Sequence, residues 1–282
     1  MNALLLITTL LSLTLQSVLR KQYTVRTGGN GVYTYTVLSG IGTLIFFLVT
    51  SKNLNFQLGI LPYATWFAVS YILAGVFGLK ATAQGSLSLT SLIINCALIV
   101  PTLYGLIFLK EPGSAFLYLG IAFLFAAMIL VNKTSEAMPI TWKWLLYVTI
   151  AFAGNGMCSL SQKIQQDAFE GTGKNELMII ALGIVVAVNA VFMIVKDRNE
   201  IGVFIKRGSV SGLLAGAANG VVNLFVMIML GLMPASVVFP LISGGSIVLT
   251  YVVSRAFYNE KLSRRQMVGF IFGILSIVLL NL

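Results

Sequence analysis

The sequence predicts an all-α integral membrane protein of ten transmembrane helices, on three observations: a high apolar content, scarce charge, and apolar runs of bilayer length. Of the 282 residues 58% are hydrophobic and only 9% are charged, whereas soluble domains carry about 25% charged residues. A chain of this length cannot clothe a water-facing surface with so few charges. A bilayer core needs about twenty apolar residues per helix, and continuous runs, not alternating ones, exclude a β-barrel.

The runs fall in order. The first, about 2 to 19, resembles a secretory apolar segment but lacks a basic lead and a small-x-small cleavage site, so it is expected to be a membrane helix. Runs at about 33 to 50 and 61 to 80 follow, split by a polar stretch around Lys52. The fourth, about 87 to 109, contains Pro101, and the fifth, about 115 to 132, follows the turn LKEP. The sixth to eighth lie at about 142 to 161, 176 to 195 and 207 to 231. The ninth, about 236 to 257, contains Pro240, Gly244 and Gly245, and the tenth is about 265 to 282. None carries a charge near its centre, where one lysine would cancel most of the roughly 4 kcal/mol that ten Leu, Ile, Phe or Val residues supply. Connections such as VRTGGNG (25 to 31) and QQDAFEGTGKNE (165 to 176) are too short to house a domain.

Composition also narrows the function. The 18 basic and 8 acidic residues give a net charge of +10, but they flank apolar runs, where they meet lipid headgroups and set topology. Membrane lipid, and not nucleic acid, is the expected partner. Histidine is absent, which removes the commonest general base and metal ligand. Cys96 and Cys158 lie in apolar runs and are expected to be buried hydrophobes. No catalytic residue, metal or cofactor is expected, and the chain is not read as an enzyme.

The two halves can be superposed. LKEPGSAFLYLGIAFLFAAMILVN matches YNEKLSRRQMVGFIFGILSIVLLN with Glu111 on Glu260, Gly120 on Gly269 and Asn132 on Asn281, and Lys21 matches Lys163 before a glycine-rich loop. These coincidences predict two five-helix repeats, 1–134 and 140–282. Because five is odd, the repeats are inverted, a plan in which transporters hold their site between repeats near the midplane.

The residues that carry a site in lipid are uncharged polar ones at depth, each of which needs a partner. They are Gln16, Asn95, Asn155, Asn189, Asn219 and Asn223, the last two sharing one helix face. Trp66 and Tyr71 are candidate walls, with Tyr35 a further central ring, and Ser243 joins them from PLISGGS. Pro101, Pro240, Gly244 and Gly245 are candidate helix breaks or gates, since proline removes a backbone donor. For Pro240 and the glycines, a kink with close packing is the competing reading. Gly212, Gly216 and Gly220 form a small-residue stripe expected to mark helix packing. Glu111 and Glu260 are expected to cap a helix or to pair with a lysine.

With these motifs the chain resembles the drug/metabolite transporter superfamily in its ten-helix EamA-like form, over its whole length. The resemblance rests on Pro101, the glutamate of LKEP, Gly120 and LVNK, then MPASVVFPLISGG, YNEKLS, Gly269 and LLNL. The family's glycine before the glutamate is Lys110 in one turn and Asn259 in the other, and Pro101 has Thr250 as its counterpart. The resemblance implies alternating-access transport of a small solute, with export favoured and a homodimer compatible, and a cavity lined by helices 1, 3, 4, 6, 8 and 9. The runs of helices 1 and 6 hold no carboxylate, unlike the proton-coupled small multidrug branch, so a neutral or zwitterionic, amino-acid-like metabolite is expected. A lipid or lipid-linked-sugar flippase, using Arg20 and Lys21 for a phosphate, is the alternative, and a non-transporting scaffold a third. Short loops fit a bacterial inner membrane. Of the basic residues only Lys52, Lys110, Lys163 and Lys174 lie on the N-terminal side, so charge predicts both termini outside, whereas the resemblance implies the cytoplasm.

Overall fold

The protein was analysed as a computed structural model that describes residues 2–52, 54–84, 90, 93–94, 97–111, 114–131, 141–258 and 264–279. Those residues are helical with no strand among them, in the order α1 (Asn2–Thr27), α2 (Val32–Thr50), α3 (Leu61–Gln84), α4 (Ile99–Ile107), α5 (Ala115–Val131), α6 (Trp142–Ala168), α7 (Lys174–Lys196), α8 (Ile201–Leu230), α9 (Ala235–Tyr258) and α10 (Arg264–Leu279). Among them α1, α2, α3, α6, α7 and α8 are long and apolar enough to cross a membrane. Their outer faces agree: Leu4, Val49, Val191 and Val210 are 71%, 79%, 62% and 65% exposed, whereas Thr43, Asn189 and Gln165 are fully buried. Apolar residues outside and polar ones inside is the distribution of a membrane-embedded protein.

Several helices outrun their apolar segments. The α1 helix continues through Arg20 and Lys21 to Thr27, and α6 continues past residue 161 to Ala168. Helical hydrogen bonding does not stop where apolarity does; it stops where the backbone turns left-handed. Gly28, Gly29 and Gly31 have φ of +65°, +80° and +70°, and Glu170, Gly171 and Gly173 have +49°, +77° and +69°. The two sets recur at one constant offset along the chain. This longer α6 corrects one expectation, because it brings a carboxylate, Asp167, into the helix's last turn.

The fourth run is also not one helix. A turn at Ala97 and Leu98 precedes α4, and Pro101 sits in that helix's first turn, where its missing N–H costs nothing. By contrast α9 runs unbroken through Pro240, Gly244 and Gly245. The break expected there is absent; a Cβ on Gly245 would lie within 2.8 Å of Leu10 Cδ2, so that glycine admits α1.

Packing is pairwise. α1 lies on α8, α3 on α6, and α5 on α10; α2 contacts α7 and α8, α3 contacts α7, α1 contacts α9, and α4 contacts α6 and α9. The glycine stripe of α8 faces α2. A Cβ on Gly216 would strike the Ser39 backbone, and Thr43 Oγ1 donates to the Gly216 carbonyl at 2.8 Å. The main core joins Phe47, Phe67, Leu177, Leu182 and Met227 from α2, α3, α7 and α8.

Candidate functional site

A polar cavity of about 170 Å³ lies between α1, α2, α3, α6, α8 and α9, with Ile94 and Leu98 beside the α4 turn completing its wall. Sites for drug-sized ligands run to roughly 300–1,000 Å³, so this one suits a smaller occupant. Each helix offers one face at helical spacing. From α1 come Leu13, Gln16, Ser17 and Arg20, and from α6 Asn155, Cys158, Ser159 and Gln162. The second quartet repeats the first at the offset that relates the two left-handed turns.

The amides form one hydrogen-bonded chain. Tyr71 Oη donates to Asn219 Oδ1 at 3.2 Å, Asn223 Nδ2 donates to the same oxygen at 2.8 Å, and Gln162 Nε2 donates to Asn223 Oδ1 at 2.7 Å. Asn155 Nδ2 donates to the Ile94 carbonyl at 3.1 Å, ahead of the turn that precedes α4. The same carbonyl accepts the Ala97 N–H at 3.1 Å, so the side chain of Asn155 adds a second donor at the turn and ties α6 to it.

Of the residues expected from sequence, the cavity brings together Gln16, Tyr71, Asn155, Asn219 and Asn223. Asn95 and Cys96 lie outside the described residues. Trp66 is not on the lining: it is five residues from Tyr71, which at 100° per residue turns it about 140° off that face. Ser243 is buried but is not a lining residue, and its carbonyl accepts from Ser246 Oγ at 2.9 Å. Among the break candidates, Pro101, Pro240, Gly244 and Gly245 are also absent from the lining. Sequence reasoning missed Gln162 as a site residue, although Asn155, Ser159 and Gln162 stand at i, i+4 and i+7. It placed Arg20 outside the apolar run, and gave it a role only in the flippase alternative, as a phosphate contact beside Lys21.

A buried charged cluster lies next to the α6 face of the cavity, one residue beyond Gln162. Glu111, in the turn after α4, accepts from the backbone N–H groups of Ala235 at 3.1 Å and Ser236 at 2.9 Å, capping α9. Lys163, next to Gln162, lies 3.4 Å from Glu111 and 2.9 Å from Asp167, with side-chain exposures of 7% for Lys163 and 10% for Glu111. Burial acts to raise the Glu111 carboxyl, but the donors at Ser236 and Ala235, together with Lys163, outweigh it and hold the group below the usual carboxylate range. The expected capping and lysine pairing are both present for Glu111, on α9. Glu260 lies outside the described residues.

No family model and no curated protein matches the chain. It is similar to a solved structure described only as "Crystal structure of protein", with a TM-score of 0.71 at 14% identity, over 99% of this chain and 98% of that one. At that identity the likeness carries the fold alone.

The two halves of the lining differ most at α2 and α7. Tyr35, Thr36 and Ser39 of α2 reach the cavity, and no residue of α7 does. The cavity therefore draws on the start of α2 and not on its counterpart α7.

Proposed function

We propose that the protein is a transporter of the drug/metabolite type, ten helices built as inverted repeats 1–134 and 140–282, which exports a small amino-acid-like metabolite across a bacterial inner membrane by alternating access. The observation that carries this reading is a cavity between membrane helices lined by a hydrogen-bonded chain of amides, with a buried charged cluster beside it. A scaffold has no need of such a cavity, and its amides carry a desolvation cost when left without partners.

The repeat is supported by helix pairing. Replace each helix by the one five places on: α1 on α8 becomes α6 on α3, α2 on α8 becomes α7 on α3, and α1 on α9 becomes α6 on α4. The pairs α2 with α7, α4 with α9 and α5 with α10 map onto themselves. Side-chain contacts follow the same rule with roles exchanged. Thr34 N and Oγ1 donate to Asp197 at 2.9 and 2.8 Å, while Asn55 N donates to Glu176 at 2.7 Å; Thr34 and Asn55 occupy the counterpart positions of Glu176 and Asp197.

The test is counterflow in proteoliposomes with labelled amino acids, organic acids, amines and sugars. One class is expected to accumulate, and the double variant Asn219→Ala with Asn223→Ala to abolish the flux while still inserting. Flux by no class, or full flux by the double variant, overturns the reading.

A further inference from the structure

Among the described residues, Arg20 is the single charged one on the cavity wall. Its Nε is buried without a hydrogen-bond partner, and no carboxylate among the described residues pairs with it. Glu111 and Asp167 hold Lys163, Glu176 holds Asn55 and Asp197 holds Thr34, and Glu170 and Glu200 stand in the connections that follow α6 and α7. A Cβ built on Gly78 would lie 3.8 Å from Arg20 Nη1, so the guanidinium reaches across to α3, where the missing side chain leaves it room. The position that corresponds to Arg20 in the second quartet of the lining is Gln162, a neutral amide. The cavity therefore carries one fixed positive charge on one side only.

An arginine cannot shed its proton to relieve this. In a membrane interior an ionised side chain is costly unless it meets an opposite charge, and such residues mark substrate pathways. The remaining lining supplies amides and hydroxyls, and then the apolar surface of Phe67, Val222, Val226, Phe239 and Ile242. We propose that Arg20 is the anion-recognising residue of the cavity, and that the solute is a small organic monoanion. Its carboxylate meets the guanidinium and its body lies along the apolar wall. One cation matches one negative charge, and planar carboxylate suits the guanidinium fork; a dianionic phosphate would call for a second cation that the wall does not have. The inference rests on the transport reading above and departs from the neutral or zwitterionic solute expected from sequence, because the one cation of the wall calls for a net negative charge.

The test uses purified full-length protein and a panel of aliphatic, aromatic and N-acylated monocarboxylates, each paired with its primary amide and its corresponding amine. Binding is read by thermal shift and confirmed by counterflow. At least one carboxylate is expected to bind on the order of tenfold more tightly than its amide. Arg20→Gln should erase that preference and Arg20→Lys should retain part of it, which separates charge recognition from a folding defect. Amides or amines that bind as well as carboxylates, or a preference that survives in Arg20→Gln, overturn the inference while transport stands. Flux by no class removes the transport reading and this inference with it.

Discussion

Glu111→Gln tests whether the charged cluster holds one end of the cavity shut. In the wild type each carboxylate oxygen accepts one α9 backbone N–H, at 3.1 and 2.9 Å, and Lys163 lies 3.4 Å away. The amide has one oxygen, so one of the two N–H groups loses its acceptor and faces an –NH₂ donor. A buried donor left unmet costs about 1–3 kcal/mol, and the surviving bond falls from charge-assisted to neutral strength, about 1 kcal/mol less. Lys163 keeps Asp167 at 2.9 Å, so little is added for a stranded cation. The sum is about 3 kcal/mol, or roughly a hundredfold in the ratio of closed to open forms. The assay places a cysteine at Val226, on the lining, with Cys96 and Cys158 replaced by serine, and follows its reaction with an impermeant thiol reagent added from the Glu111 side. Glu111→Gln is expected to raise the labelling rate by tens of fold. The pH arm has a fixed sign: a carboxyl held below its usual value stabilises the closed form fully above the unfolded value of about 4.3, and that stability is lost as pH falls through the lower folded value. Because the reactive thiolate declines in acid in both proteins alike, the effect is read in their ratio: the excess labelling of Glu111→Gln over wild type should persist above about pH 4.3 and shrink as pH falls below it. Labelling within threefold of wild type at neutral pH would refute the closure.

Three further outcomes are expected. Gly216→Ala places a methyl group against the Ser39 backbone and should lower thermal stability in detergent by about 1–3 kcal/mol, whereas Gly183→Ala, with nothing within 4 Å of its new Cβ, should be neutral or stabilising by up to about 1 kcal/mol. Glu170 is held at φ +49°, a conformation that costs non-glycine residues about 1–2 kcal/mol; Glu170→Gly should raise stability by up to about 1 kcal/mol after the entropy glycine loses on folding. Lys196, Arg198, Lys206 and Arg207 flank the α7–α8 connection against Lys163 and Lys174 by the α6–α7 one, so an impermeant reagent applied to cells should label Thr172→Cys and spare Asn199→Cys; the reverse pattern would overturn the charge-based orientation.

Helix positions were legible because apolar runs of bilayer length have no other use, but helix ends were not. Thr24 to Thr27 and Gln165 to Ala168 are polar and read as loop, yet they are helical because nothing stops the hydrogen bonding before the left-handed glycines. That difference decided the site as well. Gln16, Tyr71, Asn155, Asn219 and Asn223 could be found as isolated polar residues in apolar surroundings, whereas Arg20 and Gln162 looked like flanking residues once the helices were drawn too short. Trp66 stands off the lining, since proximity to the middle of a helix says nothing about its face. Glu111 was recognised as a cap, but that it serves α9 and not its own neighbour is a long-range fact that no local pattern carries.

The two left-handed turns also determine how the chain can be edited. Each fixes the rotational phase of the helix before it, so the Leu13–Arg20 stripe is aligned with Gly31, and the Asn155–Gln162 stripe with Gly173, by the number of residues between. A residue inserted after Arg20 or after Gln162 would rotate the stripe by 100° relative to its turn and swing the lining toward neighbouring helices or lipid, with every side chain still present. Residues added in the α7–α8 connection disturb no such phase. Tolerance to insertion is therefore a matter of angular registry, and a scan of single-residue insertions along α1 and α6 would trace the cavity wall without any knowledge of what it carries.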